Sequence, residues 1–130
     1  MPAFFIQYNM VAKKTLVIGA STNPEQYSHI AILRLSKAGH PVEAIGRTPF
    51  TIGEVDVCNV QEPFEGIHTV TMYLNEARQL DFQDYILSLH PSRIIFNPGA
   101  ENTSFKQIAE NAGIETLNAC TLVMLATGAY

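Results

Sequence analysis

The sequence predicts an α/β fold in three layers, a mostly parallel sheet lying between two layers of helices. Three observations predict it. Short β-prone apolar runs alternate with stretches whose apolar residues recur at helical spacing. The first strand candidate, "TLVIG" (Thr15–Gly19), is apolar throughout, as a strand covered on both faces must be. No repeat, linker or low-complexity tract interrupts the 130 residues, so a single core suffices. Right-handed crossovers then leave a doubly wound, Rossmann-like sheet in one domain.

The elements follow in order. Residues 1–12 are read as a loose N-terminal extension and 13–130 as the domain. The apolar stretch of the extension is too short to span a membrane and lacks the preceding basic region of a secretory signal. After Thr15–Gly19, a helix is expected over Pro24–Ala38, with Tyr27, Ile30, Ala31, Leu35 and Ala38 on its apolar stripe. Gly39 and Pro41 stop it. "VEAIG" (Val42–Gly46) is the second strand, followed by a turn-rich stretch with a short edge strand near Glu54–Cys58. "HTVTMYL" (His68–Leu74) is a third long strand, and Phe82, Tyr85, Ile86 and Leu89 mark a helix after it. "RIIF" (Arg93–Phe96), a helix over Ser104–Ala112, "ETL" (Glu115–Leu117) and a helix from Thr121 complete the series.

Composition narrows the partners. The chain is 47% hydrophobic and 15% charged, with a formal net charge of −4. No basic cluster exceeds Lys13-Lys14, which argues against nucleic acid and anionic membrane surfaces. Cys58 and Cys120 form neither a disulfide framework nor the paired spacing of a zinc site, and a reducing cytoplasm suits them.

In a doubly wound sheet a ligand sits beyond the carboxyl ends of the strands, where the strand order reverses. There the first strand supplies "GASTNP". Gly19 permits a sharp turn and a close approach. Asn23 reads as an N-cap and Pro24 as the first helical residue, with Gln26 three positions after the cap. Free amides at such a helix start suit a phosphate or diphosphate over Gly19, Ala20 and Ser21. A well-capped turn without a ligand gives the same pattern, so the loop by itself leaves both readings open. The second strand then ends "AIGR", with no acid at its tip to bind ribose hydroxyls. Arg47 beside Gly46 suits instead a phosphate on the adenosine ribose, as in NADP or coenzyme A, and plain NAD is disfavoured. Other strand ends carry Tyr73–Asn75, Asn97–Asn102 and Asn118–Cys120. Three asparagines, with Gly99 behind one, are expected to line a crevice with amides, although turn chemistry explains each singly.

Taken together, "KTLVIGASTNPEQYSHIAILRLSKAGHPVEAIGR", "VTMYLN", "IIFNPGAEN" and "ACTLVMLATG" resemble the stand-alone CoA-binding domain proteins of bacteria. These are similar to the N-terminal domain of the succinyl-CoA synthetase alpha subunit. The resemblance runs from about Lys13 through nearly the whole chain. It implies coenzyme A or an acyl-CoA, with the diphosphate at Gly19-Ala20-Ser21 and the adenine end near Gly46-Arg47. It also implies that Tyr73-Leu74-Asn75 and Asn97-Pro98-Gly99 border the crevice. The synthetase's phosphohistidine domain has no counterpart in the sequence, so its ligase chemistry is not carried over.

No catalytic constellation emerges. His40 and His90 precede prolines and read as surface residues, His68 begins a strand, and His29 reads as a solvated helix position or a phosphate contact. Cys120, between a strand end and a helix start, is either a reactive thiol or a small packing residue. Neither a catalytic residue nor a metal site is assigned. The expectation is a non-catalytic CoA or acyl-CoA binding module, alone, as a homo-oligomer or beside a partner enzyme subunit. The alternative is an NADP-dependent reductase or a subunit of an acyl-CoA-handling enzyme.

Overall fold

A computed structural model describes residues 11–130. The reading of the N-terminal extension therefore falls, for residues 1–10, outside the described residues. Seven strands form one sheet: β1 (Thr15–Ala20), β2 (Val42–Gly46), β3 (Phe50–Ile52), β4 (Val55–Cys58), β5 (Thr69–Met72), β6 (Arg93–Phe96) and β7 (Glu115–Asn118). Their spatial order is β3-β4-β2-β1-β5-β6-β7. All neighbours pair in parallel except β3 with β4. Without β3 this is the order 3-2-1-4-5-6 of the doubly wound dinucleotide-binding fold. The order reverses at β1, whose two neighbours, β2 and β5, lead the chain in opposite directions across the sheet.

Period-two alternation divides β1 between two cores. Leu16 and Ile18 join Val70, Met72, Ile94 and Phe96 on one face, under Tyr85, Ile86, Phe105 and Ala109. Val17 and Ile95 face the other way, against Ile32, Leu35, Met124 and Tyr130. Helices α1 (Tyr27–Lys37) and α5 (Thr121–Thr127) thus cover one face. The other is covered by α3 (Gln83–Leu89) and α4 (Thr103–Asn111). Phe96 and Phe105 are both fully buried and meet edge to face, their ring centroids 6.0 Å apart. Each such side chain contributes about 1.5–3 kcal/mol by leaving water.

Several elements differ from their sequence reading. The first helix begins at Tyr27 rather than Pro24, because the Asn23 Oδ1 accepts the Glu25 amide at 3.0 Å. That local turn competes with the helix, and Asn23 is not its cap. The N-cap is Gln26, whose side chain makes no capping bond. Tyr27 is 62% exposed, so the buried stripe runs through Ser28, Ala31, Ile32 and Leu35. The edge strand β3 was not expected; it forms a hairpin with β4, in register Phe50↔Val57 and Ile52↔Val55. The region before α3 is broken into a short helix α2 (Glu76–Gln79) and a 3-10 turn, Leu80–Phe82.

At the pole where the strands begin, Arg93 is buried and lies 4.5 Å from the Tyr130 ring. Its Nε donates to Thr69 Oγ1 at 2.8 Å, while its Nη2 has no partner among the described residues. His40 packs on the same ring, and its Nδ1 accepts the Lys13 amide at 2.9 Å. It is a half-buried anchor, not a free surface residue. His90 is exposed and takes a left-handed φ of 49° at the end of α3.

Candidate functional site

At the opposite pole, over the carboxyl ends of β1, β2 and β5, lies a cleft of 1030 Å³. This matches the upper end of the roughly 300–1,000 Å³ expected for small-molecule sites. Its floor starts at Gly19, where β1 bulges: Ile18 pairs with Ile45 and Ala20 with Gly46, leaving Gly19 between registers. Gly19 has φ +98°, and a Cβ there would press on Leu74 and the Tyr73 carbonyl carbon at 3.2 Å. Both the backbone angle and the crowding require glycine.

The loop that follows is pinned from within. The Asn23 amide donates to Ser21 Oγ at 3.1 Å, and the His29 Nδ1 lies 2.8 Å from the Ser21 carbonyl oxygen. A carbonyl oxygen only accepts, so the His29 Nδ1 carries the proton and donates. His29 is therefore not a solvated bystander, and it does not line the cleft. It fixes the loop to the first turn of α1.

Gly19, Ala20, Ser21, Gly46, Arg47, Tyr73, Asn75 and Gly99 all line the cleft. The sequence-predicted Asn23 and Asn97 do not. Asn97 is 2% exposed and committed to the scaffold. Its Nδ2 donates to Thr71 Oγ1 (2.7 Å) and to the Met72 carbonyl (2.9 Å), and its Oδ1 accepts the Thr121 amide (2.9 Å). Asn118 is exposed and also lies outside the lining. Of the three asparagines only Asn75 reaches the cleft, where its side chain also caps α2 through the Arg78 amide at 3.0 Å.

Other lining residues escaped the sequence reading: Thr22, Ile45, Thr48, Phe50, Asn59, Arg78, Asp81 and Phe82. Arg78 brings a second guanidinium to the rim, one helical turn into the loop that follows β5. Only the "NEAR" after β5 hinted at it, as a charged residue close to a strand end. Gln79, beside it, is fully buried and ties the rim together. It donates to the Leu74 and Ala100 carbonyls at 2.9 and 2.7 Å and accepts from Asn102 at 3.0 Å.

Tyr73 forms a wall of the cleft, and its hydroxyl is buried with no hydrogen-bond partner among the described residues. Burial pushes its pKa up to about 12, against the opposing pull of the neighbouring Thr71 and Thr121 hydroxyls, so it stays protonated at neutral pH. Those two hydroxyls bond each other at 2.8 Å. Cys120 is half-buried at the start of α5 and does not line the cleft; Cys58 is half-buried too. Among the described residues no group of three or more His, Cys, Asp or Glu could hold a metal ion. Nor, among them, is any helix long and apolar enough to cross a membrane.

The cleft therefore offers backbone amides at a glycine bulge, hydroxyls of serine and threonine, and two guanidiniums, together with one carboxylate, that of Asp81. The amides, hydroxyls and guanidiniums are donors suited to phosphate groups.

Known structures share this fold. One crystal structure, of an uncharacterized protein, is 41% identical and superposes with a TM-score of 0.89, over 92% of this chain and 99% of that one. A protein from Thermus thermophilus is 18% identical with a TM-score of 0.77, over 100% of this chain and 99% of that one. A hypothetical protein from Pyrococcus horikoshii OT3 is 16% identical with a TM-score of 0.81, over 98% and 91% of the two chains. The last two likenesses establish the fold. No curated protein sequence matches the chain. The model of the CoA binding domain matches residues 13–126, nearly all of the described fold, and the chain belongs to that family.

Proposed function

We propose that the protein binds coenzyme A or an acyl-CoA in the cleft and holds it without turning it over. The observation that carries the reading is the row of groups along the rim. In the sheet order β2-β1-β5, Arg47 follows β2, the Gly19–Ser21 segment ends β1, and Arg78 follows β5. A ligand with a diphosphate at its centre and a further phosphate on its ribose suits such a row. The diphosphate lies over Gly19, Ala20 and Ser21, and Arg47 meets the ribose phosphate beside the adenine end at Gly46. Phe50 offers the adenine an apolar surface. The lining supplies hydrogen-bond donors for a phosphorylated ligand; among the described residues no histidine or cysteine lines it, and Asp81 is its one carboxylate.

A thermal-shift and calorimetric panel of CoA, acetyl-CoA, dephospho-CoA, NADP, NAD and ATP tests this. CoA and acetyl-CoA are expected to raise the melting point most, since a ligand of the native state stabilises it by mass action. The NADP-dependent alternative shares the ribose phosphate, and NADP outranking CoA in the panel would establish it instead. Arg47→Ala is expected to weaken CoA about tenfold or more, for a charge-assisted bond of roughly 1.5–3 kcal/mol, and to weaken dephospho-CoA much less. Equal weakening of both would remove Arg47 from the ribose phosphate.

A further inference from the structure

A second, smaller recess of 310 Å³ adjoins the cleft. Gly19, Ser21, Tyr73 and Pro98 line both, so the two are continuous over the loop. The recess adds Glu25, Gln26, Tyr27 and Ser28 at the start of α1, and none of its walls comes from β2 or its loop. Because β2 and β5 flank β1 on opposite sides, walls that include Tyr73 and Pro98 put the recess on the β5 and β6 side of the loop, away from Arg47.

We propose that this recess is an acyl subsite, and that the physiological ligand is a thioester of coenzyme A with a short, uncharged acyl group. The inference rests on the coenzyme A reading above. With the adenosine at Gly46 and Arg47 and the diphosphate over the bulge, the arm that carries the sulfur leaves toward Tyr73 and Pro98. The recess lies at the end of that path.

Its chemistry sets the class of acyl group. The rings of Tyr27, Tyr73 and Pro98 give apolar walls, and Tyr27 is 62% exposed although it stands among the largest side chains of the protein. Covering that ring by an acyl group removes apolar surface from water. Ser21, Gln26 and Ser28 bring side-chain donors within the same walls, suited to a thioester carbonyl. Among the described residues Glu25 is the one acidic side chain of the recess, and no lysine or arginine lines it. A dicarboxylic acyl group would bring its carboxylate against Glu25 with no cation to offset it. The volume stands near the lower limit for small-molecule sites, too small for a long fatty chain.

Titration calorimetry of the wild type, Tyr27→Ala and Glu25→Gln with CoA, acetyl-CoA, butyryl-CoA and succinyl-CoA tests the proposal. Acetyl-CoA and butyryl-CoA are expected to bind the wild type at least about fourfold more tightly than CoA, for one or more carbons buried. Tyr27→Ala should erase that gain while leaving CoA affinity unchanged. Succinyl-CoA should bind less tightly than butyryl-CoA at low salt, and Glu25→Gln should narrow the gap by roughly two- to fivefold. Both side chains are exposed, and melting curves of the variants serve as the control for folding. If acyl-CoAs bind no better than CoA, or if Tyr27→Ala weakens all four alike, the acyl subsite is wrong while the coenzyme A reading stands. If CoA itself fails to bind the wild type, both fall.

Discussion

At Gly46 a single missing side chain serves packing as much as binding. A Cβ there would lie 2.5 Å from the Ala20 carbonyl oxygen, closer than real Cβ atoms come, and 3.2 Å from Val57. The obstacle is backbone on the neighbouring strand and cannot swing aside. Gly46→Ala is therefore expected to destabilise the protein by about 1–3 kcal/mol, the usual cost of overpacking, read from denaturant unfolding. Gly19 differs in kind, because its positive φ strains any L side chain as well. Gly19→Val should lower the melting point and abolish CoA binding together. A variant that keeps the parent affinity would move the diphosphate off this loop.

Among the elements, the junction of β5, β6 and α5 depends on Asn97. Its three hydrogen bonds connect the Thr71 side chain and Met72 carbonyl of β5 to the Thr121 amide that opens α5. The residue is buried, so no water replaces a lost partner. Asn97→Ala is expected to cost about 3 kcal/mol of stability, measured by denaturant unfolding. Asn97→Asp keeps the acceptor for the Thr121 amide but loses the donors, and should recover only part. If the alanine variant instead unfolds like the parent and loses only ligand affinity, Asn97 belongs to the site and not to the scaffold. Helix α1 shows the same dependence on local chemistry: the Asn23 turn delays it to Tyr27, and this delay leaves Glu25 and Gln26 to form a recess wall.

For the whole molecule, the two poles of the sheet have opposite tasks. The carboxyl pole holds the cleft; the amino pole gathers Lys13, His40, His68 and Arg93 around Tyr130 and Thr69. Burial first, then the positive charges of Lys13 and Arg93, lowers the pKa of His40 below its ordinary 6.5, and His68 adds to this. His68 is lowered by burial, Arg93 and Lys13, with Glu115 opposing. In the unfolded chain both imidazoles take up protons as pH falls through 6.5, while the folded protein resists. The unfolded state then binds more protons, so stability is complete above 6.5 and declines as pH falls toward the lower folded values. Melting curves between pH 7.5 and 5 should show that decline, and a His40→Gln, His68→Gln double variant should flatten it. An unchanged slope in the double variant would place the acid sensitivity elsewhere.

The sequence by itself determined the strand–helix alternation, the single doubly wound sheet and the glycine turn after the first strand. Each of these follows from local periodicity or from the special backbone freedom of one residue type. Gly19, Ala20, Ser21, Gly46, Arg47, Tyr73, Asn75 and Gly99 were legible as cleft residues for the same reason: strand ends in a parallel sheet point to one pole. Only the tertiary structure decided between asparagines that look alike in sequence. Asn75 ends at the rim because a short helix turns it outward, whereas Asn97 is drawn inward by buried partners on β5 and α5. Tertiary packing also exposed Tyr27 in place of Ile32, set His29 against Ser21, and brought Arg78 to the cleft. Those outcomes depend on which faces meet across the sheet, and contacts between residues far apart in the chain leave no periodic trace along it.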